Sequence, residues 1–256
     1  MNPTLPGPRV RLDILLHARG LADSRARGRA LIMAGRVRVD GQTATKASTL
    51  VRDDAELAID TPDHPYVGRG GVKLAHALDQ FSVDVSNVVA LDVGASTGGF
   101  TDALLQRGAA TVVALDVGHG QLAWRLRRDP RVIVLERTHI AKVDAGTFPT
   151  DDGRFDLITV DVSFISIRYF IERLPRLLRK SGNLIALVKP QFEVGRTEVG
   201  RGGLVKIPLL QHRAVTDVAA AAAEVGLTQV AMEPSPITGA DGNREFFLHL
   251  QHAAKA

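Results

Sequence analysis

The 256-residue sequence contains no cysteine, which excludes a disulfide scaffold, a thiolate zinc site and a cysteine nucleophile. Eight histidines are present, but none recurs at ligand spacing, so no metal is expected. Long hydrophobic runs are missing as well. The longest apolar stretches, Leu184–Val188 and the alanines Ala219–Ala223, fall far short of the roughly 18 residues that cross a bilayer; no transmembrane helix is predicted. The first ten residues carry prolines and an arginine where a secretory signal has its apolar centre, and Ile14-Leu15-Leu16 is closed off by Asp13 and His17. A cytoplasmic protein is expected.

Hydrophobic residues nevertheless make up 45% of the chain, enough for one core of about 180 residues and a second, small one. Glutamate is absent from residues 9–52, where nine arginines and one lysine against three aspartates give a formal charge of +7. With a net charge of +4 overall, the rest of the chain stands at −3. The basic character therefore belongs to an N-terminal module.

That module reads as a compact α/β unit. Leu12, Leu15, Leu16 and Leu21 have roughly helical spacing; Asp23 or Ser24 can cap a second helix whose apolar face continues through Ala30, Leu31 and Met33, and Gly35 stops it. Arg36-Val37-Arg38-Val39 alternates as a half-wet strand does, Asp40-Gly41 closes it as a turn, and Glu56–Ile59 supplies a last strand. Arg11, Arg25, Arg27, Arg29, Arg36 and Arg38 fall on these elements, where they can follow a phosphate backbone. Charge alone is equally compatible with a solvated surface. The order of residues decides it: Arg11-Leu12-Asp13, Gly20-Leu21-Ala22, Ser24-Arg25, Leu31-Ile32 and Gly35-Arg36-Val37-Arg38-Val39-Asp40-Gly41 resemble the S-four type of RNA-binding domain. The candidate RNA contacts are Arg11, Arg25, Arg36, Arg38 and Lys46, with Arg69 beyond the module.

Thr61-Pro62-Asp63-His64-Pro65-Tyr66 reads as a proline-punctuated linker and Gly68-Arg69-Gly70-Gly71 as a flexible basic hinge. The expected division is residues 1–61, a linker at 62–71, and a second domain at 72–256. From residue 88 onward, strand-length apolar runs (88–93, 111–116, 132–135, 155–160, 183–188) alternate with helical segments at 99–107, 120–128, 167–180 and 209–225. Such alternation demands a mostly parallel sheet covered on both faces. Two further runs, 228–233 and 245–250, have no helix between them and predict an antiparallel edge.

Leu91-Asp92-Val93-Gly94-Ala95-Ser96-Thr97-Gly98-Gly99-Phe100 follows the first strand and opens the first helix, where an α/β sheet binds its ligand. It lacks both the Gly-x-Gly-x-x-Gly dinucleotide pattern and the Gly-Lys-Ser/Thr of a phosphate loop. Asp92 before the glycines and Asp116 and Val117 at the end of the second strand suit S-adenosyl-L-methionine, with Asp116 accepting from the ribose hydroxyls. Asp144 is a candidate for the adenine amino group. Asp161 and Lys189 close the fourth and fifth strands and so meet in the crevice; a lysine directly after a buried strand needs a carboxylate nearby.

Gly68-Arg69-Gly70-Gly71-Val72-Lys73-Leu74, Asp92–Phe100, Val117-Gly118-His119-Gly120-Gln121-Leu122-Ala123-Trp124, Asp161-Val162-Ser163-Phe164-Ile165-Ser166, Lys189-Pro190-Gln191-Phe192-Glu193-Val194-Gly195 and Gly242-Asn243-Arg244-Glu245-Phe246-Phe247 together resemble the TlyA, or hemolysin A, family. The resemblance implies an S-four-like domain followed by an FtsJ-like domain of Rossmann-like class I methyltransferase fold, with seven mostly parallel strands and an antiparallel last strand. It implies 2′-O-methylation of cytidine in ribosomal RNA, an effect on capreomycin-type drug sensitivity, and a catalytic set of Lys73, Asp161, Lys189 and Glu245. Ribosomal RNA within ribosomal subunits is then the partner, and the protein acts as a monomer. Two positions depart from the family: Tyr66, often tryptophan, and His139, often asparagine. Competing readings are a membrane-active hemolysin, a non-catalytic RNA-binding assembly factor, and a Rossmann oxidoreductase, which the missing dinucleotide pattern disfavours.

Overall fold

The computed structural model describes residues 8–22, 24–33, 35–59, 64–150, 152–239 and 241–254. The chain divides into two compact units, one ending at Pro65 and the other starting at Tyr66.

The first unit contains β1 (Arg9–Arg11), α1 (Leu12–Ala18), α2 (Arg25–Met33), β2 (Val37–Val39), β3 (Gln42–Ala44), β4 (Leu50–Arg52) and β5 (Leu57–Ile59). β1 pairs with β4, and β2 lies between β3 and β5, all antiparallel. Asp40 and Gly41 both take positive φ, 48° and 78°, the backbone that a two-residue hairpin turn with the sheet's own twist requires. Ser24 Oγ accepts from Arg27 N at 3.1 Å and starts α2; Asp23, the other expected cap, lies outside the described residues. Leu12, Leu15, Leu16, Leu31, Ile32 and Val37 form the core. Two expectations fail here. Ile32 is fully buried while Met33 is 74% exposed, because Leu31 and Ile32 already fill the buried stripe and the next residue turns away. Leu21 stands past the end of α1, beyond Gly20 with its positive φ, and is 36% exposed.

The second unit contains α3 (Arg69–Gln80), β6 (Val89–Val93), α4 (Gly99–Gln106), β7 (Thr111–Leu115), α5 (Trp124–Arg127), β8 (Val132–Leu135), β9 (Phe155–Val160), α6 (Leu174–Leu177), β10 (Leu178–Val188), α7 (Pro190–Glu193), α8 (Pro208–Glu224), β11 (Leu227–Pro234) and β12 (Phe246–His252). Its seven strands run in the order β11-β12-β10-β9-β6-β7-β8. Only β12 opposes the others, pairing antiparallel with both β10 and β11. This is the Rossmann-like methyltransferase arrangement, with an apolar layer on each face: α8 covers one through Val215, Val218 and Ala222, and α3 and α4 cover the other through Leu74, Leu78, Phe100 and Leu104.

Three segments differ from their sequence reading. Arg69-Gly70-Gly71 is the first turn of α3 and not a hinge. Its glycines serve close packing: a Cβ on Gly71 would collide with the Tyr66 ring, and one on Gly99 would sit 2.9 Å from the Gly71 nitrogen. Tertiary packing of α3 on α4 thus overrides the poor helix propensity of glycine. The helix expected at 120–128 shrinks to Trp124–Arg127, because residues 117–123 wrap the loop after β6 and Ala123 N donates to Thr97 O. The helix expected at 167–180 is two 3-10 turns and the short α6; Leu178 has already entered the sheet opposite Phe155.

Candidate active site

Sheet register lines up the site. Val93 of β6 pairs with Val160 of β9, Ala186 of β10 pairs with Val160, and Val188 of β10 pairs with Phe246 of β12. The residues just beyond these pairs, Gly94, Asp161, Lys189 and Glu245, therefore emerge along one edge. Because β12 runs backwards, its beginning joins the ends of the parallel strands there. Asp116 follows β7 on the same edge.

A cavity of about 590 Å³ opens here, lined by Gly94, Ser96, Asp116, Val117, Gly118, Gln121, His139, Ile140, Asp161 to Ile165 and Phe170. Its size falls within the usual range for a small-molecule site. Asp116 accepts from Ser96 N at 2.7 Å through Oδ2 and from Gly118 N at 2.6 Å through Oδ1. Each carboxylate oxygen keeps a second lone pair. His139 Nδ1 accepts from Ala141 N at 3.1 Å, which fixes the ring at the cavity wall. Gly94 has φ +87°, and a Cβ there would strike the Asp161 carbonyl, so the loop can cross this close to β9 only as glycine.

Other members of the expected ligand set lie elsewhere. Asp92 is fully buried, accepting from Thr101 Oγ1 at 2.6 Å and Thr159 Oγ1 at 3.1 Å. Burial, reinforced by the charge of Asp161, raises its carboxyl to about 7 despite these two hydroxyls. Its carboxyl lies in the interior, between Thr101 of α4 and Thr159 of β9. Gly98 and Gly99 face Leu126 and Gly70–Gly71 respectively, Phe100 packs on Phe247 at 6.2 Å, Thr97 holds Ala123, and Ala95 is buried. Asp144 is exposed and caps a 3-10 turn, bonded to Thr147.

The four candidate catalytic residues form two ion pairs. Lys73 Nζ, from α3, is 2.5 Å from Glu245 Oε2, with side chains 9% and 3% exposed. Lys189 Nζ is 2.6 Å from Asp161 Oδ1, with side chains 11% and 22% exposed. The second pair is held by charge without an aligned hydrogen bond on Oδ1, while Nζ donates to Ser163 Oγ at 3.0 Å. An ammonium beside a carboxylate and a hydroxyl that line a cavity can hold or exchange the proton of a third oxygen brought to it.

Phe164 belongs to the Asp161–Ser166 motif, which assigns it no role. It is 92% exposed, has φ +68°, and sits 5.3 Å from the Phe192 ring. It is thus a non-glycine aromatic in a sparsely populated conformation, held out at the lining of the cavity. Ser163, Gln121 and Phe170 also line the site, and only their neighbourhood in the motifs could have signalled them.

In the first unit, Asp13 is completely buried in side-chain terms and gathers three arginines: Arg11 binds both its oxygens at 2.9 and 3.1 Å, and Arg25 and Arg29 lie at 3.5 and 4.0 Å. The Arg11 hydrogen bonds, with help from Arg25, hold the Asp13 carboxyl below its ordinary value. All three guanidinium groups remain about half exposed. Arg38 and Lys46 are exposed, Arg36 is half-buried, and Arg69, in the second unit, donates to Thr238 O at 2.6 Å. Among the described residues no helix is long and apolar enough to cross a membrane, and no group of three or more His, Asp or Glu is placed to hold a metal ion.

Residues 66–252 match the FtsJ-like methyltransferase family and residues 10–57 the S4 domain. The chain is 48% identical to the 16S/23S rRNA (cytidine-2′-O)-methyltransferase TlyA of Mycobacterium tuberculosis, over 95% of this chain and 90% of that one. It is 37% identical to Hemolysin A of Brachyspira hyodysenteriae, over 94% and 99%. A solved structure from Streptococcus thermophilus, named as a hemolysin, superposes with a TM-score of 0.75 at 37% identity, covering 97% of this chain and 90% of that one.

Proposed function

The chain belongs to the TlyA (hemolysin A) family, an S4 domain followed by an FtsJ-like methyltransferase domain, and from that premise we propose that it methylates the 2′-oxygen of cytidine in ribosomal RNA, using S-adenosyl-L-methionine. The observation that carries the reading is the Lys189–Asp161 pair, in which Asp161 lines the cavity and Lys189 stands directly behind it. The cavity's residues fit the cofactor: Asp116 offers lone pairs to a ribose diol, Gly94 has no side chain to bar a close approach to its backbone, and Ile140 and Phe170 give an apolar wall for a flat base. When bound, the cofactor supplies an electrophilic methyl group on a sulfonium.

A ribose hydroxyl is a weak nucleophile, so the protein must orient it in line and manage its proton. Lys189 takes the hydroxyl proton as the carbon–oxygen bond forms, and Asp161 fixes the Nζ position and stabilises the resulting ammonium. The 2.6 Å separation also favours a second reading, in which Lys189 remains an ammonium throughout and polarises the oxygen. A pH profile of kcat separates the two: a base gives a rising limb that a polarising ammonium lacks. Lys73 and Glu245, buried against each other, form a neutral pair that supports the same edge of the sheet. The exposed Phe164 offers its face to the base of the target nucleotide, and the arginines around Asp13 bind phosphates of the folded RNA. Such a substrate places the protein with ribosomes in the cytoplasm.

The test is genetic and chemical. Ribosomal RNA from a strain lacking the gene should miss a 2′-O-methylcytidine that mass spectrometry finds in the parent, and the wild-type gene should restore it. Identical modification maps in both strains would refute the assignment. The same deletion should alter sensitivity to capreomycin-type antibiotics, and unchanged sensitivity would remove that part of the proposal.

A further inference from the structure

Two loops carry the chemistry, one after β9 with Asp161, Ser163 and Phe164, the other starting at Lys189 and continuing into α7. Beyond the Lys189 contacts and the Phe164–Phe192 ring contact, one more tie joins them. Glu193, the last residue of α7, is 4% exposed. Its Oε2 accepts from Ser166 Oγ at 2.6 Å and its Oε1 from Ile167 N at 2.8 Å. Arg168 approaches through Nε at 3.4 Å, while its Nη2 donates to the Glu193 carbonyl at 2.7 Å. Burial pushes the Glu193 carboxyl above its ordinary value, against the pull of these donors.

We infer that Glu193 is a positioning residue, a latch that holds the loop after β9 against α7 in the arrangement the reaction needs. Stability alone does not account for it. A buried carboxylate is costly, and well-packed apolar residues commonly serve a core as well or better. What the latch provides is place. The segment 161–167 is fastened at one end by Asp161 N donating to Val93 O at 2.9 Å and at the other by Glu193. Between those anchors lies Phe164, with a left-handed backbone, 92% exposed, and with the Phe192 ring of α7 as its aromatic neighbour. Strained backbone persists only where the surroundings over-determine it, and Glu193, together with the buried Ile167 side chain, fastens the downstream side. Glu193 lies four residues after Lys189 and its partner Ser166 five after Asp161, so the latch ties together the two chain segments that carry the ion pair.

The inference rests on the methyltransferase reading for its kinetic consequence, but its structural consequence can be measured separately. Wild type, Glu193→Ala, Glu193→Gln and Ser166→Ala would be compared by amide hydrogen exchange and by steady-state methyl transfer to unmodified ribosomal subunits. The expected result for Glu193→Ala is at least tenfold faster exchange confined to residues 162–170, with kcat reduced by about 10- to 100-fold, the scale of an ångström of misplacement. Cofactor affinity should change much less than kcat. Glu193→Gln keeps an acceptor for Ile167 N but cannot accept equally at both atoms, so it should fall between; Ser166→Ala, which removes one arm and no charge, should move in the same direction by less. A kcat within threefold of wild type in Glu193→Ala would overturn the inference, as would exchange that rises evenly over the whole unit in all variants. If the wild type itself transfers no methyl group, the functional reading falls, and the exchange pattern alone upholds or overturns the latch.

Discussion

Replacing Asp92 by asparagine should stabilise the protein at alkaline pH and do little at acid pH. Its carboxyl is raised from 3.8 to about 7, so between those values the unfolded chain has released a proton that the folded chain still binds. Stability is therefore fully present below about pH 4 and declines as pH rises towards 7. The shift corresponds to a ceiling of about 4 kcal/mol above pH 7, and relaxation and water entry reduce that to roughly 2 kcal/mol. Asparagine carries no charge. The Thr101 or Thr159 hydroxyl can turn from donor to acceptor against its amide, limiting the loss at low pH. For a unit of this size about 2 kcal/mol amounts to roughly 4–8 °C in Tm. Thermal unfolding of wild type and Asp92→Asn would be followed by circular dichroism from pH 5 to 8.5. The two Tm curves should diverge with rising pH, the variant lying above. Parallel curves would refute the reasoning, and a variant with parallel curves but more than tenfold weaker cofactor binding would return Asp92 to the ligand contacts.

Two further predictions bear on the two units. Asp13→Ala makes the first unit more positive, yet it should bind RNA about fivefold more weakly, the equivalent of ordering one long side chain, because Arg11, Arg25 and Arg29 lose the carboxylate that gathers them. Tighter binding in a filter-binding titration at fixed salt would show that net charge, and not the ordered arginines, sets the affinity. Gly94→Ala must accommodate φ +87° and a clash with the Asp161 carbonyl, costing about 2 kcal/mol or more. The variant should melt several degrees lower and lose the thermal shift that cofactor confers on wild type; a wild-type shift would show the loop has room to spare.

Legibility followed how local each signal was. β8 and β9 could be read residue for residue, since Val132–Leu135 and Phe155–Val160 are apolar runs closed by turn residues. The reversal of β12 also followed, because no helix separates it from β11. The glycines were harder. Their spacing announces close approach but not what approaches: at Gly94 it is a strand, at Gly99 a helix, and only part of the loop borders the cavity. For the same reason α3 was hidden behind Gly70 and Gly71. Lys73 and Glu245 are 172 positions apart, and nothing in spacing joins them; only motif resemblance points to them, and they meet because register puts Glu245 at the sheet edge and α3 carries Lys73 to it. The tie from Glu193 to Ser166 was out of reach because it depends on two loops folding back together.

The central claim is most directly tested by transfer of tritiated methyl from S-adenosyl-L-methionine to purified ribosomal subunits lacking the modification, with wild type and Lys189→Ala side by side. The account predicts label in RNA from the wild type, on the 2′-oxygen of cytidine, and at least a hundredfold less from the variant despite retained cofactor binding, in keeping with the usual contribution of a general acid–base group. No label from a wild type that binds both cofactor and RNA, or undiminished label from Lys189→Ala, would contradict it.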